Sequence, residues 1–178
     1  VYKRQVCENG NYYNRFYFVH PDGAVQHYDK KHLFTFGGEH KRFTAGTERV
    51  VVNFRGVRIL LEVCYDLRFP VWSRNLGDYD MILYVASWPT PRVDAWSALL
   101  RARAIENQCY VAGVNRMGVD PACEYSGGSA IIDPYGKTIA ECPWSRESAV
   151  SADIDMEALQ AFRKKFPVLD DADPFTLI

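Results

Sequence analysis

Val57-Arg-Ile-Leu-Leu-Glu-Val63 runs directly into Cys64-Tyr-Asp-Leu-Arg-Phe-Pro70. The first seven residues are nearly continuous apolar, the pattern of a strand buried inside a sheet. Asp66 to Asn75 reads as a short helix with Pro70 near its start, where a missing N–H is tolerated. A buried strand feeding a helix puts Cys64 at a strand-to-helix junction. The helix N-terminal N–H groups and positive dipole end would stabilise a thiolate there. The same groups could hold an oxyanion formed when the sulfur attacks a carbonyl. The ordinary alternative is a small buried core residue, since free cysteine is among the most buried types.

Outward from this stretch, Val-rich alternating segments at 15–19, 24–28 and 48–54 read as further strands. Pro21-Asp-Gly23 and Arg55-Gly56 read as the turns of two hairpins. Beyond the junction comes a strand over 80–86, closed by Pro89 and Pro91. A helix over 92–107 follows, with Val93, Trp96, Leu100 and Ala104 on one apolar stripe and Asp94 in its first turn, favourable to the macrodipole. A strand over 109–115 leads to a Gly-rich loop and to strands 129–133 and 137–141 around Asp133-Pro-Tyr-Gly136. A last strand near 148–154 precedes a helix over 155–164. Strand–helix–strand–helix–strand followed by hairpins argues for an α/β layered domain.

Composition narrows the class. The chain has 178 residues, 48% hydrophobic and 24% charged, ordinary values for a globular domain. With 21 basic and 22 acidic residues the net charge is −1, and no basic face marks a nucleic-acid binder. No apolar run approaches the roughly 18 residues that span a bilayer. The five cysteines (Cys7, Cys64, Cys109, Cys123, Cys142) are odd in number and form no C-x-x-C pair, which disfavours a disulfide framework and a zinc ribbon. With no apolar signal segment visible, a cytoplasmic setting is expected.

Leu61-Glu-Val-Cys64-Tyr-Asp-Leu-Arg-Phe-Pro70 closely resembles the nucleophile motif of the nitrilase, or carbon–nitrogen hydrolase, superfamily. Tyr28-Asp-Lys30-Lys-His-Leu-Phe34 resembles its lysine motif. Arg101-Ala-Arg-Ala-Ile-Glu106-Asn107 and Asp133-Pro-Tyr-Gly136 match further family segments in the expected order. Cys64–Arg74, Ser87-Trp-Pro89 and Lys165-Phe-Pro…Asp171-Ala-Asp173 look most like bacterial omega-amidases.

The resemblance implies a four-layer α-β-β-α sandwich, usually paired into dimers or larger homo-oligomers, and needs no cofactor or metal. It implies hydrolysis of a small-molecule amide, such as the omega-amide of a short 2-oxo dicarboxylic acid, through a cysteine thioester. Another amidase or carbamoylase of the superfamily, or a non-catalytic domain of the same fold, are the alternatives. Cys64 would be the nucleophile and Lys30 the catalytic lysine, stabilising the oxyanion and helping the leaving amine depart. Lys31 alternates to the opposite face of an extended segment. Glu39, in Phe36-Gly-Gly-Glu39-His40, matches the lysine-positioning glutamate, and the Tyr65 N–H would complete the oxyanion hole.

Trp88, at the end of the 80–86 strand, is expected in the substrate pocket. Arg92 could pair with a substrate carboxylate. Asp66 and Arg68 read as supports around the site, and Arg103, Glu106 and Asn107 as braces for the helix. His32 could pair with Cys64 as a peptidase-like dyad, but the local words for such a site are absent, and a packed, hydrogen-bonded role fits better.

The resemblance also requires a glutamate general base well upstream of the lysine. Only Glu8 precedes Lys30, with no matching motif around it. Glu62 alternates onto the same face as Cys64 but would rarely point at the reacting atom. The base is therefore expected upstream of this chain. Val1–Gln5 reads as a non-native leader, with one partial hydrolase domain over 6–178.

Overall fold

The computed structural model describes residues 2–176. Its strands are β1 (Tyr2–Glu8), β2 (Asn11–Val19), β3 (Val25–Asp29), β4 (Val51–Phe54), β5 (Val57–Val63), β6 (Met81–Ala86), β7 (Tyr110–Asn115), β8 (Met117–Val119), β9 (Glu124–Ser126), β10 (Ala130–Ile132) and β11 (Thr138–Glu141). Its α-helices are α1 (Pro70–Ser73), α2 (Val93–Glu106) and α3 (Met156–Lys165). One sheet has the order β11-β10-β7-β6-β5-β4, with β5, β6 and β7 parallel at its centre. A second, antiparallel sheet has the order β1-β2-β3.

The alternation along the central strands explains the layering. Leu60, Ile82, Tyr84 and Val111 point to one face, where Trp96, Leu100 and Ala104 of α2 cover them. Ile59, Leu61, Val63 and Val85 point to the other, where Phe16, Phe18 and Tyr28 of the three-stranded sheet cover them. The described residues thus form a helix layer and two sheet layers. Close approach of α2 requires glycine at position 113, since a Cβ there would stand 2.7 Å from both Leu100 and Trp96.

Three expectations change. The helix over 66–75 is instead a 3-10 turn, Cys64–Arg68, followed by the four-residue α1. Pro70 is the cause: it disfavours helical backbone at Phe69, which takes φ −117° and ψ 84°. Residues 148–154 form no strand among the described residues, and β11 remains the sheet edge. The Gly-rich loop contains the β8–β9 hairpin, too short to announce itself in the sequence. Residues 2–5, read as a leader, lie in β1 and pair with Asn14–Tyr17 of β2; Val1 is outside the described residues.

Glu62 of β5 is fully buried beside α1 and β6. Ser73 Oγ donates to its Oε2 at 2.9 Å, and its Oε1 has no partner among the described residues. Burial, reinforced by the charge of Asp66, pushes its carboxyl up to about 8. An acid whose pKa rises on folding keeps a proton that the unfolded chain gives up. Stability therefore falls as pH rises from the ordinary carboxyl range towards the raised value, and levels off above it. Glu62→Gln is expected to flatten this decline. Urea unfolding of both proteins at pH 5 and pH 8 measures it, and an equal decline in the two would show that Glu62 does not cause it.

Candidate active site

Cys64 sits where β5 ends, with φ of +51°. A side chain in the left-handed region is strained, and such strain gathers at functional sites. Cys64 lines a cavity of about 670 Å³. Its thiol donates a long contact of 3.8 Å to the Ser87 carbonyl at the end of β6. The Tyr65 N–H lies in the first turn after Cys64, where donors have no acceptor within the turn. Two short segments do not add up to the dipole expected of one longer helix. The local N–H groups, not a macrodipole, are what this turn offers an oxyanion.

Lys30 follows β3, 2% exposed. Its Nζ donates to Glu39 Oε2 at 2.5 Å. The same oxygen accepts the Phe34 N–H at 2.8 Å, which fixes the carboxylate to its own loop. A buried ammonium needs such a partner, because an unpaired charge is costly away from water. The Lys30 ammonium also lies 6.0 Å from the centre of the Tyr65 ring. Lys31 turns the other way, its Nζ 5.2 Å from the Trp72 ring, as its alternation requires.

One buried carboxylate ties the lysine segment to the cysteine turn. Asp66 Oδ2 accepts the Tyr28 hydroxyl at 2.9 Å and the Val63 N–H at 3.0 Å. Its Oδ1 accepts the His32 N–H at 2.9 Å and meets His32 Nδ1 at 2.8 Å. His32 is stacked on Phe69, with ring centres 3.8 Å apart. It is thereby occupied and lies outside the cavity lining, as its packed reading expected.

Cys64, Lys30, Glu39, Tyr65, Trp88 and Arg92 all line the one cavity. Trp88 is held at the end of β6 by Asn115, whose Oδ1 accepts the Trp88 N–H at 2.7 Å. The Trp88 indole N–H donates to the Arg92 carbonyl at 2.6 Å. Arg68, read as a support, in fact lines the cavity, its guanidinium 5.1 Å from the Trp88 ring centre. Arg103 braces as expected, donating to the Leu67 carbonyl at 2.6 Å. Glu62 does not line the cavity, because its carboxyl turns to Ser73 and Tyr84 on the helix side. Glu8 is held by Arg15 at 2.7 Å and likewise lies outside.

The sequence reading missed the wall made by the β8–β9 hairpin. Arg116, Asp120, Cys123 and Tyr125 line the cavity from there. Asp120 organises the hairpin tip, accepting the Ala122 and Cys123 N–H groups and the Tyr125 hydroxyl. Hydrogen bonds, first of all from Tyr125, hold its carboxyl below the usual carboxylate range. The chain distance from Cys64 hid this wall, and no spacing rule points to it.

The family profile described as carbon–nitrogen hydrolase matches residues 1–164. The chain is 55% identical over 165 residues to the omega-amidase YafV of Escherichia coli K12, covering 92% of this chain and 64% of that protein. It is 40% identical over 169 residues to the 2-oxoglutaramate amidase of Bacillus subtilis, covering 93% and 65% respectively. It thus spans about two-thirds or a little less of the length of these relatives. Among solved structures, XC1258 of Xanthomonas campestris, a CN-hydrolase superfamily protein with an arsenic adduct in its active site, superposes with a TM-score of 0.95 at 47% identity. That match covers 98% of this chain and 69% of the other.

The Asp66 junction generates a test. Asp66→Asn keeps one acceptor oxygen and turns an amide donor onto the backbone N–H of either His32 or Val63. That N–H then loses its acceptor, so a loss of roughly 1–3 kcal/mol is expected. Urea unfolding of the variant checks it, and a loss below about 1 kcal/mol, within the range of an ordinary surface change, would deny the carboxylate its junction role.

Proposed function

The chain belongs to the carbon–nitrogen hydrolase family, and on that premise we propose that it is part of an omega-amidase. Its substrates are omega-amides of short 2-oxo dicarboxylic acids, of the 2-oxoglutaramate type, and its products the acid and ammonia. The observation that carries this reading is the buried Lys30–Glu39 pair in the cavity that Cys64 enters. Kinship with an omega-amidase and a 2-oxoglutaramate amidase supports the substrate class.

In the proposed reaction the Cys64 sulfur attacks the amide carbon as its proton passes to a general base. The Lys30 ammonium and the Tyr65 N–H hold the tetrahedral oxyanion, and Glu39 keeps the ammonium aimed. As the C–N bond breaks, the base returns the proton to nitrogen and ammonia departs, leaving a thioester on Cys64. A water activated by the same base then opens the thioester and frees the acid. Trp88 and Arg92 bind the rest of the substrate, with Arg92 towards its carboxylate.

The base itself is proposed to be a glutamate in the part of the relatives' length that this chain does not span. The carboxylates lining the cavity among the described residues are Glu39 and Asp120. Glu39 is engaged by Lys30 and the Phe34 N–H, and Asp120 by its own hairpin. A helix layer on the outer face of the three-stranded sheet, and pairing of the full-length protein into dimers or larger, belong to the same proposal.

Two outcomes are expected. In the full-length protein carrying these residues, Cys64→Ala abolishes release of ammonia from 2-oxoglutaramate, while Cys109→Ala and Cys123→Ala keep most of it. Cys109 is fully buried, and burial pushes its thiol up, away from the reactive thiolate. Turnover by Cys64→Ala at the parent rate would refute the covalent route. The 178-residue chain alone should be slower than its upstream-extended form by about 10²–10⁴-fold, the usual worth of a positioned base. Equal rates in the two would place the base within these residues.

A further inference from the structure

We propose that Cys64 and Cys123 form a redox pair, in which hydrogen peroxide converts the Cys64 thiol to a sulfenic acid and Cys123 resolves it to a disulfide across the cavity. This goes beyond the amidase reading, and it gives a role to a cysteine that the proposed reaction does not use.

The places of the thiols lead to it. Cys109 and Cys142 are buried, their thiols directed to the carbonyls of Arg103 and Ser148. Cys7 is exposed on β1 and lies outside the cavity lining. Cys64 and Cys123 are half-buried, and both line the one cavity although they come from distant parts of the sequence. The Cys64 thiol makes only its long contact of 3.8 Å to the Ser87 carbonyl. An accessible nucleophilic cysteine that shares its site with a second thiol is the usual arrangement of a redox-responsive pair.

The wall that carries Cys123 is a separate unit. β8 and β9 pair with each other and join neither larger sheet. The polar contacts of the tip stay inside the hairpin: Asp120 accepts the Cys123 N–H at 2.9 Å and the Tyr125 hydroxyl at 2.8 Å, and the Arg116 guanidinium lies 4.3 Å from the Tyr125 ring centre. Cys123 is thereby fixed to the tip. The base is anchored on its own, by Arg116 N–H to the Ala86 carbonyl, the Asn115 amide to the Gly127 carbonyl and Ser145 N–H to the Ser126 carbonyl. A two-stranded hairpin with no third strand has little local stability, so the tip closes on the cavity while the base stays. The Cα atoms of a disulfide lie about 4.4–6.8 Å apart. Closure of the tip brings Cys123 to that range from Cys64, which packing against both hydrophobic clusters holds in place.

Peroxide closes the electron balance. The Cys64 sulfur, as its thiolate, attacks one peroxide oxygen. The O–O bond breaks, hydroxide leaves, and the sulfur, oxidised by two electrons, becomes a sulfenic acid. The Cys123 thiolate then attacks that sulfur, the S–O bond breaks, and the oxygen takes up protons and leaves as water. One peroxide and two thiols thus give one disulfide and two waters. A dithiol reductant restores both thiols by exchange. While the disulfide stands, Cys64 is blocked as a nucleophile but spared from sulfinic acid, which thiols do not reduce.

The test reads the sulfurs and does not depend on turnover. The full-length protein carrying these residues is reduced, treated with hydrogen peroxide, alkylated with iodoacetamide, digested with trypsin and mapped by mass spectrometry. Cys64 falls in the peptide Ile59–Arg68 and Cys123 in Met117–Lys137, each with no other cysteine. In the parent the two peptides are expected joined, with the loss of two hydrogens, and separate again after dithiothreitol. In Cys123→Ser, and in Cys123→Ala as a second variant, Cys64 should pass to sulfinic acid, and dithiothreitol should recover little of its thiol relative to the same variant untreated. Cys7→Ser should behave as the parent. A parent in which Cys64 becomes sulfinic acid while Cys123 stays a free thiol overturns the pair. So does a Cys64 disulfide to any other cysteine or between two molecules, an unoxidised Cys64, or equal recovery of its thiol with and without Cys123. Failure of the reduced parent to release ammonia from 2-oxoglutaramate, with the disulfide observed, overturns the amidase reading and leaves the pair standing.

Discussion

The Asp66 carboxylate is the junction on which the site depends. It is fully buried and accepts from the hydroxyl of Tyr28, the backbone of His32 and the backbone of Val63. Tyr28 and His32 flank Lys30, while Val63 immediately precedes Cys64. One side chain therefore sets the distance between two segments more than thirty residues apart in sequence. A buried carboxylate must satisfy its oxygens or lose its charge, and here it does so entirely with donors from the two segments that the chemistry needs together. The Trp72 indole N–H, donating to the Tyr28 hydroxyl at 3.1 Å, extends the same network to α1.

Around this junction the fold follows from alternation. Strands β5 and β6 are buried on both faces, and each face chooses a different cover, helix α2 on one side and the three-stranded sheet on the other. Their carboxyl ends open into the cavity, where open α/β sheets generally gather ligands. Cys64 packs against both hydrophobic clusters, so its strained backbone is held from two sides. Asn115 closes the next strand in the same way, accepting the Trp88 N–H and donating to the Trp88 and Gly127 carbonyls. Polar side chains at strand ends are what turn a packed sheet into a shaped pocket.

Much of this was legible in the residues. The apolar run Val57–Val63 and the stripe of Trp96, Leu100 and Ala104 placed β5 and α2, because burial on both faces or on one stripe leaves a periodic trace. The motifs around Lys30, Glu39 and Cys64 pointed to their membership of one site before any contact was known. The short helical piece failed as a prediction because local pattern showed a helix continuing, whereas Pro70 splits it at Phe69. The strand near 148–154 failed because alternation does not show whether a segment finds a partner to pair with, and this one is mostly exposed and unpaired. Arg68 was misread because nothing in its neighbourhood says which way a long side chain turns.

The sequence by itself determined the class of fold, the nucleophile junction and the family, since those live in local pattern and in ordered motifs. Only the tertiary structure decided which charges are already paired. Lys30 and Glu39 are nine residues apart, and Arg116 and Asp120 four, yet their pairing matters only because all four face the cavity that Arg68 and Arg92 also face. The left-handed turn at Cys64, the diversion of Glu62 to Ser73 and the hairpin wall with Cys123 likewise arise from packing between distant segments. Charge compensation is a property of a volume in space, and a linear order of residues does not specify which groups share that volume.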